Sequence, residues 1–272
     1  MTNVDAGMPS PGDRELIGEF ATRIADAAAN LLPGYSSIIW KGSTHKPWDG
    51  PFDFLPGLSD IDIHVYRNGA LDEPWGLRRA VLDAAGPVPF DTPLQLLVLD
   101  TATLPEWWTI LPGTYEVMHG GEPPTTVPST SRLLERDRYG LAGAATDAAR
   151  VSYDVLGLSD AELWPYLRSV RSLFPPALYR ATSIWTGRPE RVWSLNRSGL
   201  LAFASEHLSL AEITGAAVQY FTAALTACDN RDDPQAVENA LRAGQAVLMA
   251  AGDWFAARPD AVVDRRIAEP PL

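Results

Sequence analysis

Leu16, Phe20, Ile24, Ala28 and Leu31 recur at steps of three and four between Asp13 and the Pro33-Gly34 stop, which predicts an amphipathic helix. Met1 to Gly12, rich in small residues, proline and glycine, reads as a loose lead-in. The period then drops to two. The run YSSIIWKGS is β-branched and aromatic and ends in Gly42-Ser43. DIDIHVY alternates strictly, with Asp60, Asp62 and His64 on one face and Ile61, Ile63 and Val65 on the other. A short helix around Trp75 to Ala85 and a third strand, PLQLLVLD, complete a small α/β layer whose sheet is expected to be covered on one face.

The proline-rich passage from His119 to Ser131 marks a boundary. Beyond it the spacing is helical, roughly over Arg132 to Leu156, Asp160 to Trp185, Asn196 to Glu206, Leu210 to Cys228 and Pro234 to Ala257. The fold class expected is α+β. An N-terminal α/β domain over residues 13–122 precedes a C-terminal all-helical bundle over residues 129–272.

Composition narrows the function classes. A chain of 272 residues, 46% hydrophobic, can bury a substantial core. The net charge of −12 argues against nucleic acid as a partner, because that surface needs Lys and Arg to neutralise phosphates, and it favours a cationic small molecule. Cys228 is the single cysteine, so no disulfide can form within the chain, and its setting reads as a helix core position. With no signal-like start and no apolar run of about 18 residues, no membrane partner is expected and the chain reads as cytoplasmic. No GxSxG elbow occurs, and His45, His64, His119 and His207 lack metal-ligand spacing.

Asp60 and Asp62, two apart on a strand, present two carboxylates side by side, a pair that can hold Mg²⁺. The alternative is that Asp60 caps the strand and Asp62 faces solvent. Gly42 allows backbone N–H groups to approach a phosphate, and the Ser43 hydroxyl adds a donor. Together, a strand ending in Gly-Ser and a following Ser-Asp-x-Asp resemble the nucleotidyltransferase superfamily that includes DNA polymerase β and the antibiotic nucleotidyltransferases. Residues 179–221 are similar to the helical domain of the streptomycin/spectinomycin adenylyltransferases: Thr186-Gly187 and Ser194 fit, Leu195 stands where that family has lysine, and Arg197 is the substitute cation.

The resemblance implies a mixed sheet, Gly42 and Ser43 on the β/γ-phosphates, and Asp60 and Asp62 as catalytic ligands of Mg²⁺. Lys46 and Arg197 join the nucleotide contacts, with Lys41 and Arg180 as further cations. The activity implied is transfer of NMP, AMP foremost, from a nucleoside triphosphate to a hydroxyl of a small, cationic acceptor. One departure matters: the family's third carboxylate falls at Gln95, which cannot take a proton. The alternative function is therefore a nucleotide-, metabolite- or partner-binding protein without transfer.

Substitutes for the missing base are Asp91 beside the third strand, or Glu135, Asp137 and Glu162 from the helical part, whereas Asp100 points to the opposite face. His64, beyond Asp62, is either a ligand contact or a histidine at an exposed strand end. The loop between Ser43 and Asp60, with His45, Lys46, Trp48 and Asp53, is either a lid or plain surface. Trp107, Trp108, Trp164, Trp185 and Trp193 are candidates for stacking on a base, against the commoner core role.

Overall fold

The computed structural model describes residues 10–258 apart from Ala70, Asp72, Glu73, Pro105, Glu106, Trp107, Thr109 and Thr126. Its elements run α1 (Pro11–Leu31), β1 (Tyr35–Lys41), β2 (Ile61–Arg67), α2 (Leu77–Ala85), β3 (Leu94–Asp100) and β4 (Tyr115–Gly120). Helices follow: α3 (Thr130–Ala142), α4 (Ala144–Val155), α5 (Asp160–Val170), α6 (Phe174–Thr186), α7 (Pro189–Ser194), α8 (Arg197–Ser205), α9 (Ala211–Asp229) and α10 (Pro234–Ala256). Contacts divide the chain into two compact units. The first runs to Pro128 and also takes the strip Ser194–Gly199; the second holds Ser129–Trp193 and the residues from Leu200 onward.

In the first unit, a capping box between Ser10 and Asp13 starts α1. The helix buries Ile17, Phe20, Ile24 and Ala28, while Leu16 and Leu31 of the expected stripe stay exposed. The apolar face is thus rotated by one residue from the spacing first suggested. It covers a four-stranded mixed sheet in the order β3-β2-β1-β4, with β2 parallel to β3 and antiparallel pairs elsewhere. Ile61, Ile63 and Val65 pack under α1 with Ile38, Trp40 and Val81.

Strand β4 is absent from the sequence-based expectation, since YEVMHG offers only Val117 and Met118 as apolar residues and pairs along an edge. The sheet's second face is also not bare. Ile39, Tyr66 and Ile110 form a smaller cluster there with Trp108, Tyr115 and Val117, so β2 is buried on both faces.

In the second unit α10 is the hub, packing on α3, α4, α5, α6 and α9. A Cβ on Gly244 would lie 2.6 Å from the Phe174 ring, so the bare backbone sets how closely α10 meets α6. The single helix expected over Arg132 to Leu156 is two, divided at Gly143. Cys228 is buried in α9. The last fourteen residues of the expected helical domain, 259–272, lie outside the described residues. No helix of the described residues is long and apolar enough to cross a membrane.

Candidate functional site

Register gathers the site. Lys41 pairs with Tyr115 on β4 and with Asp62 on β2, and Asp62 pairs with Gln95 on β3. Opposed residues share a face, so Tyr115, Lys41, Asp62 and Gln95 form one row across the sheet, on the side away from α1. Asp62 is 8% exposed, whereas Gln95 sits open on an edge strand. The Lys41 ammonium lies 3.8 Å from Asp62 Oδ2.

Gly42 turns the chain away from this row with φ +86°, and a Cβ there would lie 2.3 Å from Asp62 Oδ2. Both conditions demand glycine. Ser43 follows in the same turn, which the Lys46 N–H closes on the Gly42 carbonyl at 3.3 Å. Thr44, which sequence reasoning passed over, is fully buried; its hydroxyl accepts from Trp40 Nε1 at 3.2 Å and donates to the Asp60 carbonyl at 2.9 Å. That bridge ties the turn to the start of β2.

Gln95 meets both aspartates. With its NH₂ turned toward them, the amide donates to Asp62 Oδ1 at 2.6 Å and to Asp60 Oδ2 at 3.2 Å. With the oxygen turned in instead, three oxygens converge at those spacings. Octahedral Mg²⁺ at 2.0–2.1 Å from its ligands sets neighbouring oxygens about 3 Å apart. Asp60, Asp62 and the amide oxygen are thus the residues that could hold such an ion. Among the described residues no group of three or more His, Cys, Asp and Glu side chains is gathered to hold a metal.

Cations flank the turn. Lys46 Nζ donates to the Leu195 carbonyl at 2.8 Å, and Arg197 Nη1 donates to the Phe52 carbonyl at 3.0 Å and to Ser59 Oγ at 3.3 Å. Burial pushes the Lys46 ammonium down to about 8, helped by the charges of Arg197 and Lys41 and opposed by Asp53.

The long loop after Ser43 is anchored. Asp53, fully buried, accepts from the N–H groups of Asp49, Gly50 and Ser198, each at 2.9 Å. Asn196 Nδ2 donates to the Pro47 carbonyl at 2.9 Å and to Asp49 Oδ2 at 2.6 Å. Trp48 stacks on Phe54 with 4.4 Å between centroids, at the edge of the α1 core. Neither a plain surface loop nor an unattached lid describes it. The strip Ser194–Gly199 clasps it.

His64 shares the face of Asp62 but is 2% exposed, a correction to the exposed strand end. Neither ring nitrogen has a partner, and burial, with Lys41 second, pushes the imidazole down to about 3. Its neighbours are Ile39 and Leu97 across the strands and the Trp108 ring at 5.7 Å. His45 is lowered by burial, against the pull of Glu116.

The other candidates are engaged elsewhere. Asp100 Oδ1 accepts from Gly69 and Ala102 N–H groups in the turn after β3. Asp91 lies exposed in the one-turn 3₁₀ segment before β3. In the second unit, Glu162 serves the capping box of α5, and its Ser159 hydrogen bonds hold its carboxyl below the usual range. Asp137 is fully buried and accepts from Trp193 Nε1 at 3.0 Å. Burial raises its carboxyl, opposed by Ser183, Trp193, Arg136 and Arg180. Glu135, on α3, is half-buried. Arg180 packs over Gly140 beside Asp137.

Trp108 Nε1 donates to the Tyr66 hydroxyl at 3.4 Å. Within the second unit Trp193 stacks on Tyr179, Trp164 lies under Arg231, and Trp185 meets Trp254 edge-on. Trp107 lies outside the described residues. No protein-family model matches the chain, and neither a curated protein nor a solved structure matches it at a significant level.

Proposed function

We propose that the chain binds a nucleoside triphosphate with Mg²⁺ in its first unit and transfers NMP, AMP foremost, to a hydroxyl of a small acceptor. The observation that carries this reading is the crowding of Lys41, Lys46 and Arg197 around the Gly42-Ser43 turn, beside Asp60 and Asp62. In a chain of net charge −12, the Lys46 ammonium is disfavoured by burial and by the charges of Arg197 and Lys41, and a polyphosphate would relieve that cost.

In the proposed reaction the acceptor oxygen attacks the α-phosphorus, the bond to the β-phosphate's bridging oxygen breaks, and pyrophosphate leaves. The hydroxyl proton passes to water or phosphate. Asp60, Asp62 and the Gln95 oxygen would hold Mg²⁺, whose role is to neutralise phosphate charge. The Gly42-Ser43 turn would orient the β- and γ-phosphates, and Lys46 and Arg197 would stabilise the departing pyrophosphate. An amine-bearing acceptor suits the acidic chain, and the cytoplasm supplies nucleotide and Mg²⁺. Residues 13–122 would form the nucleotidyltransferase domain and 129–272 its helical companion.

Gln95 favours a second reading, nucleotide binding without transfer, because the row that holds Asp62 contains no further carboxylate. Calorimetric titration of ATP, GTP, CTP and UTP with and without Mg²⁺ tests both. Binding is expected to need Mg²⁺ and to weaken at least about 100-fold in Asp60→Asn/Asp62→Asn, since each carboxylate lost leaves the ion and phosphates less compensated. If no nucleotide binds, or the variant binds unchanged, the first reading falls. Binding with no product from any hydroxylated acceptor leaves the second.

A further inference from the structure

Resting on that reading, we propose that the Gln95 amide makes the site take its divalent ion together with the nucleotide and not before it. The geometry allows the amide two roles. Facing inward with its NH₂, it bridges Asp62 Oδ1 at 2.6 Å and Asp60 Oδ2 at 3.2 Å, a lock that offsets the repulsion between two neighbouring carboxylates. Facing inward with its oxygen, it completes the three-oxygen set. The last torsion of a glutamine side chain is broad and two-fold, and Gln95 is exposed on an edge strand, so this exchange needs no movement of the backbone.

Charge decides which state holds. Two carboxylates, one of them 3.8 Å from the Lys41 ammonium, face a neutral amide. A lone Mg²⁺ would have to break two charge-assisted hydrogen bonds and replace much of its water shell with a set carrying little net negative charge. Mg²⁺ dehydrates reluctantly and is held by one or two carboxylates together with substrate phosphates. An ion arriving on the triphosphate brings its own anionic oxygens, and Lys46 and Arg197 stand beside the turn for the phosphates it accompanies. The metal-free protein thus keeps its two aspartates paired through Gln95 until the nucleotide arrives with its ion.

Electron paramagnetic resonance of Mn²⁺ tests this without turnover. The wild-type protein is expected to bind Mn²⁺ alone weakly and Mn²⁺ with α,β-methylene-ATP tightly. Gln95→Glu, which removes the lock and adds a carboxylate, is expected to bind Mn²⁺ alone at least about tenfold more tightly than wild type. Equal affinity of wild type and Gln95→Glu for Mn²⁺ alone overturns the proposal. Failure of the wild type to hold Mn²⁺ with the nucleotide analogue overturns instead the nucleotide reading on which it rests. A second measurement stands if the variant does not fold. In glutamine-labelled wild type, the side-chain NH₂ protons of Gln95, assigned by their loss in Gln95→Met, should exchange slowly without metal and faster once Mg²⁺ and the analogue are added. An NH₂ signal indifferent to that addition overturns the lock.

Discussion

The two units each hold a group of buried or crowded charges, and they treat it differently. Around Asp137 the buried carboxylate is met by groups of its own unit: Trp193 donates to it, and Arg136, itself exposed, lies 3.6 Å away. Around the Gly42-Ser43 turn, Lys46 and Arg197 lean on backbone carbonyls, and burial and each other's charge disfavour the ammonium of Lys46. The first arrangement is what a fold needs to keep a charge inside. The second is the arrangement that, under the proposed function, a polyphosphate would meet, and burial of a charge does not by itself mark a site.

Three variants test the contrast, beginning with the largest effect on stability. Asp137→Ala leaves Trp193 without its acceptor and Arg136 and Arg180 without a nearby negative charge, and is expected to cost about 3 kcal/mol in denaturant unfolding, with nucleotide affinity of the folded fraction unchanged. A cost near zero would show that the cluster is not a closed structural set. Gly42→Ala forces a side chain onto φ +86° and into Asp62, with an expected cost of about 2 kcal/mol and at least about tenfold weaker nucleotide binding. Stability and binding fall together here, unlike at Asp137.

The smallest effect has the opposite sign. Lys46→Met removes a crowded ammonium and is expected to stabilise the ligand-free protein by about 1 kcal/mol at pH 7 while weakening triphosphate binding about tenfold. Because the ammonium is lowered from 10.5 to about 8, the folded protein binds fewer protons than the unfolded chain between those values. Wild-type stability should gain a contribution as pH rises through that window, and the variant should lack it. Nucleotide affinity should fall in the same window, as the charged form is lost. Calorimetry at pH 7 and pH 9 reads both; a flat profile would show that Lys46 has another task.

How much of this was legible depended on sequence separation. The Gly42-Ser43 turn and the Asp60–Asp62 pair follow from local spacing, because a strand's period of two settles which side chains share a face, whereas only the family resemblance places Gln95 beside them. Edge strand β4 escaped, since an edge needs no strong apolar alternation. The clasp was beyond reach for a different reason: Asn196 meets Pro47 across 149 positions, and nothing local to either residue announces it. Lys46 and Arg197 were selected as cations near phosphate, yet what each holds in this structure, a carbonyl of the other's segment or loop, depends on that closure. The exposed strand end, one of two readings of His64, fails because alternation gives the face and not what covers it; the Ile110–Trp108 cluster supplies the cover from forty residues further on.

The strip Ser194–Gly199 has a consequence for how such a chain can be cut, shuffled or inherited. A piece ending at Pro128 would contain every strand and both aspartates, yet it would lack Asn196, Arg197 and the Ser198 N–H that hold the loop before β2. The stretch that holds the candidate site therefore depends on a strip of chain that comes after helices α3 to α7. Recombination at the proline-rich boundary would separate a loop from its fastener.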